Sequence, residues 1–303
     1  VFAIVGHFGT PTVSATIDLI KDYGAPMVYA ATGINALYFE STPMNPIMAV
    51  QPIYKTDGRI MTARALTEDI YGENNDQKIA AGTKIGVLYT NDDVGVSIKE
   101  GVELEAEYFN RKNDFVYEQI TPETVSTAVN KLKQQNVGAV ILAVNQGPFA
   151  YSLAALDDAS LHVPVFTSYV NADVSVVDHT DVFSLVEGEW VEKYPVFTNA
   201  WVDIYTESGQ LDVNAYVSTI SQADLDDATK LQYYGNSFAI AGYIAARIFV
   251  EGLKRVEANE EELTFATYIA AMEEGPISVP MGGTVDFSDG KRWGIASMSL
   301  LKY

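Results

Sequence analysis

The chain has 303 residues, too many for one comfortable hydrophobic core and a suitable number for two α/β lobes. Its 40 acidic residues against 19 basic ones give a formal charge of −21, which repels nucleic acid and anionic lipid headgroups and leaves no basic stripe for phosphate contacts. There is no cysteine, which excludes disulfides, thiolate metal sites and a cysteine nucleophile, and the 48% hydrophobic content predicts a chain that is globular throughout.

In chain order, the apolar runs Phe2–Val5, Met27–Ala30, Ile47–Pro52, Lys84–Tyr89, Asp114–Ile120, Ala139–Val144 and Val163–Thr167 read as strands. Most are unbroken, as expected of strands covered on both faces. Between them lie amphipathic helices, with Val13, Ile17 and Ile20 on one face and Val125, Val129 and Leu132 on another. Thr10-Pro11 and Thr121-Pro122 each place a candidate N-cap threonine before a proline at the first helical position. This rhythm predicts parallel sheets with helices on both faces.

The later part changes character. Helices are expected near Val213–Ile220, Asn236–Val256 and Thr264–Glu273, and then extended segments over Ile277–Phe287 and Gly294–Lys302 around an Asp289-Gly290 turn. The apolar stretch Phe238–Leu253 contains Arg247 and Glu251 and falls short of the ~20 residues that a membrane span needs. No cationic segment followed by an apolar one opens the chain, so an export signal or lipid anchor is expected to have been removed or to lie outside it.

The opening Val1-Phe-Ala-Ile-Val-Gly-His-Phe-Gly-Thr-Pro-Thr12, followed by Gly24-Ala-Pro-Met-Val-Tyr-Ala-Ala-Thr-Gly33, resembles the type 1 periplasmic binding proteins for leucine, isoleucine and valine. Further similar stretches are Lys84 to Gly95, Ala150 to Val170, Asn236 to Arg255 and Val279 to Ser288, in the family's order and over nearly the whole chain. One departure is that two further βα units, roughly 60 to 75 residues, normally precede the Val-Phe-Ala-Ile-Val-Gly strand. The chain is therefore expected to be a fragment, or to have that part carried elsewhere.

The resemblance implies two Rossmann-like lobes joined by three crossings, with lobe one over residues 1–51 and 196–285 and lobe two over 52–195 and 286–303. It also implies an extracytoplasmic substrate-binding protein of an ABC transporter, in the periplasm or as a cell-surface lipoprotein. Such a protein takes a small carboxylate-bearing solute, for example an amino acid, and hands it to a membrane permease. No cofactor, catalytic residue or metal is expected.

Candidate ligand-binding residues lie at the carboxyl ends of strands, where helix N-termini present unpaired N–H groups. Gly9, Thr10 and Pro11 follow the first strand; the family uses a serine or threonine at the position of Thr10 to hold a ligand carboxylate, while a plain cap is the alternative. Ala31, Thr32 and Gly33 follow the second strand, in a loop that holds the α-amino and carboxylate groups in the family. From lobe two, Asn145 and Gln146 follow one strand, and Tyr169, Val170 and Asn171 another. The slot near Val170, where several members carry a carboxylate for an ammonium group, is neutral here. The charge must then come from an acid such as Asp92, Asp93 or Asp173, or the ligand is not a plain α-amino acid. Tyr234 and Asn236 precede the long helix and are candidates to close over a ligand. Val94 stands where relatives often carry an aromatic residue.

Two rival readings remain. The same fold serves as a ligand-sensing regulatory module in related proteins, and an enzyme is less favoured. The chain has no Gly-x-Ser-x-Gly elbow, phosphate loop, Gly-x-Gly-x-x-Gly fingerprint or His-Glu-x-x-His pair. His7, His162 and His179 lack metal-ligand spacing, and Asp178, His179 and Asp181 lack the spaced oxygens of a calcium loop.

Overall fold

The computed structural model describes residues 1–72, 74–172 and 177–303. The chain divides into two compact units: residues 1–53 with 201–298 form unit 1, and residues 54–200 with 299–303 form unit 2.

Unit 1 opens with β1 (Ile4–Phe8), α1 (Thr10–Tyr23), β2 (Met27–Ala31) and β3 (Ile47–Met48), a parallel sheet in the order β1-β2-β3. Strand β1 continues past Gly6, where the sequence pattern had it stop at Val5, because Gly6 takes φ +69° and lets the strand kink rather than end. Helix α1 is capped by Gly9, so Thr10 is its first residue and not its N-cap as the Thr-Pro pattern suggested. Val13, Ile17 and Ile20 are buried as expected.

Unit 2 contains α2 (Tyr54–Thr67), β4 (Ile85–Tyr89), α3 (Asp93–Tyr108), β5 (Phe115–Gln119), α4 (Val125–Gln134), β6 (Ala139–Ala143), α5 (Gln146–Asp158), β7 (Val165–Thr167), α6 (His179–Val182), β8 (Phe183–Val186), β9 (Glu189–Glu192) and β10 (Val196–Ala200). Helix α4 starts three residues later than Thr121-Pro122 implied, because Pro122 sits in a turn in which Thr124 Oγ1 accepts from the Thr121 amide. The apolar strand interiors pack with Val129, Leu132, Phe149 and Leu153 into one core. Each such side chain contributes about 1.5–3 kcal/mol when fully buried.

The chain returns to unit 1 with α7 (Glu207–Gln222), α8 (Asp227–Tyr234), α9 (Ser237–Ala258), α10 (Phe265–Met272) and the hairpin β11 (Ile277–Val279) with β12 (Gly283–Val285). On α9 the buried Ile244, Ile248, Gly252 and Val256 recur every fourth residue and face Val28, Met48, Tyr268 and Met272. Among the described residues no helix is long and apolar enough to cross a membrane.

The last strand, β13 (Ser299–Lys302), lies antiparallel on β10 and completes the sheet of unit 2, whose order is β13-β10-β7-β6-β4-β5. Its parallel strands follow the doubly wound order 2-1-3-4-5, in which the direction of winding reverses between β4 and β6.

Three segments fall on the other side of the expected lobe boundaries, the shortest being residues 52–53, which belong to unit 1. Residues 196–200 belong to unit 2 because they form β10, paired in register with β7 and β13. Residues 286–298 belong to unit 1 because Arg292 buries its guanidinium there, donating to the carbonyls of Asn45 and Ile47 at 2.6 Å each and to Glu273 at 2.6 Å.

Candidate ligand-binding site

At the carboxyl ends of β1 and β2 in unit 1, α1 begins without a side-chain cap. Gly9 holds φ +96° and has no side chain to offer, so the first turn's N–H groups keep the positive end of the helix free of an internal acceptor. Thr10 and Pro11 are the first two helical residues. The Thr10 hydroxyl meets the Thr32 hydroxyl at 2.7 Å, which ties the start of α1 to the loop after β2. Thr32 is buried, and Ala31 pairs in register with Phe8. Thr12 instead turns its hydroxyl back onto the carbonyls of Phe8 and Gly9. Gly9, Thr10, Ala31, Thr32 and Gly33 therefore come together around two strand ends.

Phe238 brings the N-terminus of α9 to the same end of the sheet, its ring centroid 5.9 Å from that of Phe8. Asn236 caps that helix, its Oδ1 accepting from the amides of Phe238 at 2.9 Å and Ala239 at 3.0 Å. Its side-chain oxygen is thus committed to the helix. Tyr234 has its hydroxyl 3.0 Å from Ser221 on α7.

Sequence reasoning missed Tyr29. It faces Gly6 between the register pairs Val5 with Val28 and His7 with Ala30, and both residues hold positive φ, +60° at Tyr29. A left-handed conformation costs a non-glycine residue about 1–3 kcal/mol and persists only where the surroundings enforce it. Here the buried ring lies 6.3 Å from Trp201. The paired kink re-aims the ends of both strands just before Thr10 and Thr32, and no residue pattern signals it.

In unit 2 the corresponding loops follow β4, β6 and β7, next to the reversal of winding. Asp92 caps α3, its Oδ1 accepting from the Gly95 amide at 2.9 Å and the Thr90 hydroxyl at 3.0 Å. That oxygen is committed to the helix. Asp93 is the exposed first residue of α3, and Asp173 lies outside the described residues. Val94 is buried in the core of the unit. Asn145 caps α5, and the Gln146 amide donates to the Val170 carbonyl at 3.2 Å. Asn171 is fully buried and donates to the Val144 carbonyl at 3.1 Å and the Thr167 hydroxyl at 2.7 Å. It stitches the loops after β6 and β7 together. Tyr169 stacks on Tyr54 with centroids 5.9 Å apart.

Unit 1 thus offers N–H donors and hydroxyls at a helix start, a setting for an anion, while the loops of unit 2 offer neutral amides. Among the described residues no group of three His, Cys, Asp or Glu side chains is placed to hold a metal ion.

The fold is shared with several solved structures. A fatty acid ABC transporter substrate-binding protein from Thermomonospora curvata aligns at 20% identity and TM-score 0.70 over 100% of this chain and 71% of its own. A branched-chain amino acid ABC transporter protein from Thermus thermophilus with bound valine aligns at 13% identity and TM-score 0.67 over 98% and 73%. An ABC transporter substrate-binding protein from Desulfitobacterium hafniense in complex with leucine aligns at 15% identity and TM-score 0.67 over 100% and 78%. At these identities the likeness is one of fold. No curated protein matches the sequence. The sequence model of the periplasmic binding protein family matches residues 1–303, and the chain belongs to that family.

Proposed function

We propose that this chain is the substrate-binding protein of an ABC transporter, working outside the cytoplasm, and that it captures a small solute through a carboxylate held at Thr10 and Thr32. It belongs to a family of solute-binding proteins and is not an enzyme. The observation that carries the ligand chemistry is the uncapped start of α1, where the Thr10 and Thr32 hydroxyls converge at 2.7 Å. Free N–H groups, the positive end of a helix and two hydroxyls favour an anion over a neutral or cationic group.

The three solved structures reported above are named for fatty acid, valine and leucine, ligands whose common group is a carboxylate. Asp92 has one oxygen committed to the start of α3, Asp93 is exposed and the Val170 slot is neutral, so among the described residues of these loops there is no buried anion for an ammonium group. That favours a carboxylate whose remaining part is apolar or weakly polar over a plain α-amino acid. Handover to a membrane permease belongs to the same proposal.

Mass spectrometry of the small molecule that co-purifies with the protein, followed by calorimetry with valine, leucine and a medium-chain fatty acid, tests it. A carboxylate bound and recovered chemically unchanged supports the reading. A cationic or uncharged ligand, or turnover that tracks with the protein, overturns it.

A further inference from the structure

Two oxygen atoms deep in unit 2 lack a hydrogen-bond partner although their residues touch. Asp57, in the first turn of α2, and Asn199, on β10, are both buried, and Asn199 Nδ2 donates to Asp57 Oδ1 at 2.7 Å. The other oxygen of each group, Asp57 Oδ2 and Asn199 Oδ1, is buried and unpaired. An ionised carboxylate cannot mend this, since both atoms are then acceptors. A proton on Oδ2 does, because its O–H can donate to the Asn199 oxygen and close a ring of two hydrogen bonds.

The position of the pair gives it consequence. The chain passes between the units after residues 53, 200 and 298. Asp57 is the fourth residue of unit 2 after the first of these passages, and Asn199 stands last but one before the second. Asn199 also pairs in register with Leu300, the second residue after the third passage. The side-chain pair therefore joins the first and second of the segments by which the chain enters and leaves unit 2, and the third is held to Asn199 by the β10–β13 ladder.

We propose that Asp57 and Asn199 form a proton-bridged carboxylic acid and amide ring that ties the first two of these segments together, and that loss of the proton loosens the tie. The proton is exchanged with water. Burial favours the neutral acid and raises the carboxyl to about 6. Asn199, the Ser168 hydroxyl, the Tyr169 amide and Arg64 favour the ionised form, but they do not outweigh burial, and none bonds Oδ2. Arg64 also lies 3.6 Å from Glu68, which draws on its charge. The remaining charges of α2 face α3, Lys55 being paired with Glu100 at 3.3 Å and Arg59 with Glu105 at 2.7 Å. The strands packed against α2, namely β6, β7 and β10, carry no charged residue.

The substitution Asp57→Asn supplies a test, because its amide can make the same two-bond ring without a titrating proton. In the full chain at about pH 5, wild type minus Asp57→Asn should show the infrared carbonyl stretch of a protonated carboxylic acid, and this should fade as pH rises through the titration. Hydrogen exchange at the β10 and β13 amides, corrected for intrinsic rates, should lose roughly tenfold of protection between about pH 5 and pH 8 in the wild type and little in the variant. Absence of the band, or the same loss of protection in both proteins, overturns the proposal. Should Asp57→Asn not fold, Asn199→Leu reads the same band. A shift to the stretch of an unbonded acid supports the ring, and an unmoved band overturns it.

Discussion

Arg292 and Glu273 form a buried ion pair in unit 1, with Nη2 and Oε1 2.6 Å apart and the arginine side chain fully inaccessible to water. The arginine also donates to the carbonyls of Asn45, Ile47 and Lys291, and the carboxylate accepts from the Met44 amide. Together they fasten residues 286–298 to the loop before β3 and to the end of α10.

Breaking this pair from one side should be costly. Arg292→Met leaves Glu273 facing a desolvated site and leaves the carbonyls of Asn45 and Ile47 without their donor, so unit 1 should lose about 3–5 kcal/mol. Glu273→Gln keeps a neutral acceptor and should lose less. Urea unfolding followed by Trp201 and Trp293 fluorescence measures both, and equal losses for the two variants would count against a charge-based role.

A second prediction concerns the packing of α2 on α3. A Cβ built on Gly58 would lie 2.2 Å from the Ile98 carbonyl oxygen, a contact with backbone that cannot rotate away. Gly58→Ala should push the helices apart and destabilise unit 2 by about 1–3 kcal/mol, despite alanine's better helix propensity. A thermal melt of the variant at or above the wild-type temperature would show that the close approach is not needed.

The parallel sheets were legible because fully buried strands such as Ala139–Ala143 are unbroken apolar runs, and the core face of α1 was legible from its spacing. Helix starts were less legible. Thr10 and Thr121 carry the right residue type before proline, yet a glycine caps α1 and a further turn precedes α4. Short elements with little apolar content escaped: α8 has no buried residue, so no periodicity marks it. The pairs that hold each unit together were hidden for a different reason. Asp57 and Asn199 stand 142 positions apart and Asn45 and Arg292 stand 247 apart, and nothing local in either segment names its partner. Of the candidate site, the loops at strand ends were found from chemistry and resemblance, whereas the kink at Gly6 and Tyr29 depends on a backbone state that residue type does not encode.

The Asp57 carboxyl gives a pH prediction whose sign is fixed by its direction. Burial raises it in the folded protein to about 6 from an ordinary value of 3.8. The stability it contributes is therefore fully present below the unfolded value and is lost as pH rises through the folded one. A shift of about two units corresponds to about 3 kcal/mol. Asp57→Asn should accordingly gain stability relative to wild type between about pH 5 and pH 8, by an amount that grows with pH. Differential scanning calorimetry across that range reads the difference, and a gap that stays constant with pH would contradict the titration.

The final prediction places the ligand's anionic group at the start of α1. Thr10→Val keeps the shape of the side chain and removes the hydroxyl that meets Thr32 at 2.7 Å. If that hydroxyl also serves the ligand, one hydrogen bond to a charged group is lost, worth about 1.5–3 kcal/mol or roughly a tenfold to hundredfold fall in affinity. Folding should suffer for a separate reason, since Gly9 and not Thr10 is the cap: the buried Thr32 loses its partner, at a cost of about 1–3 kcal/mol. Thr10→Ser separates the two effects, because it restores the hydroxyl without the methyl group and should recover both affinity and stability. Calorimetry with the carboxylate identified by mass spectrometry, read beside a thermal melt, decides between the two roles of the hydroxyl. Unchanged affinity in Thr10→Val together with a lowered melting temperature would mean that the Thr10 and Thr32 hydroxyls serve only each other and that the anion sits elsewhere.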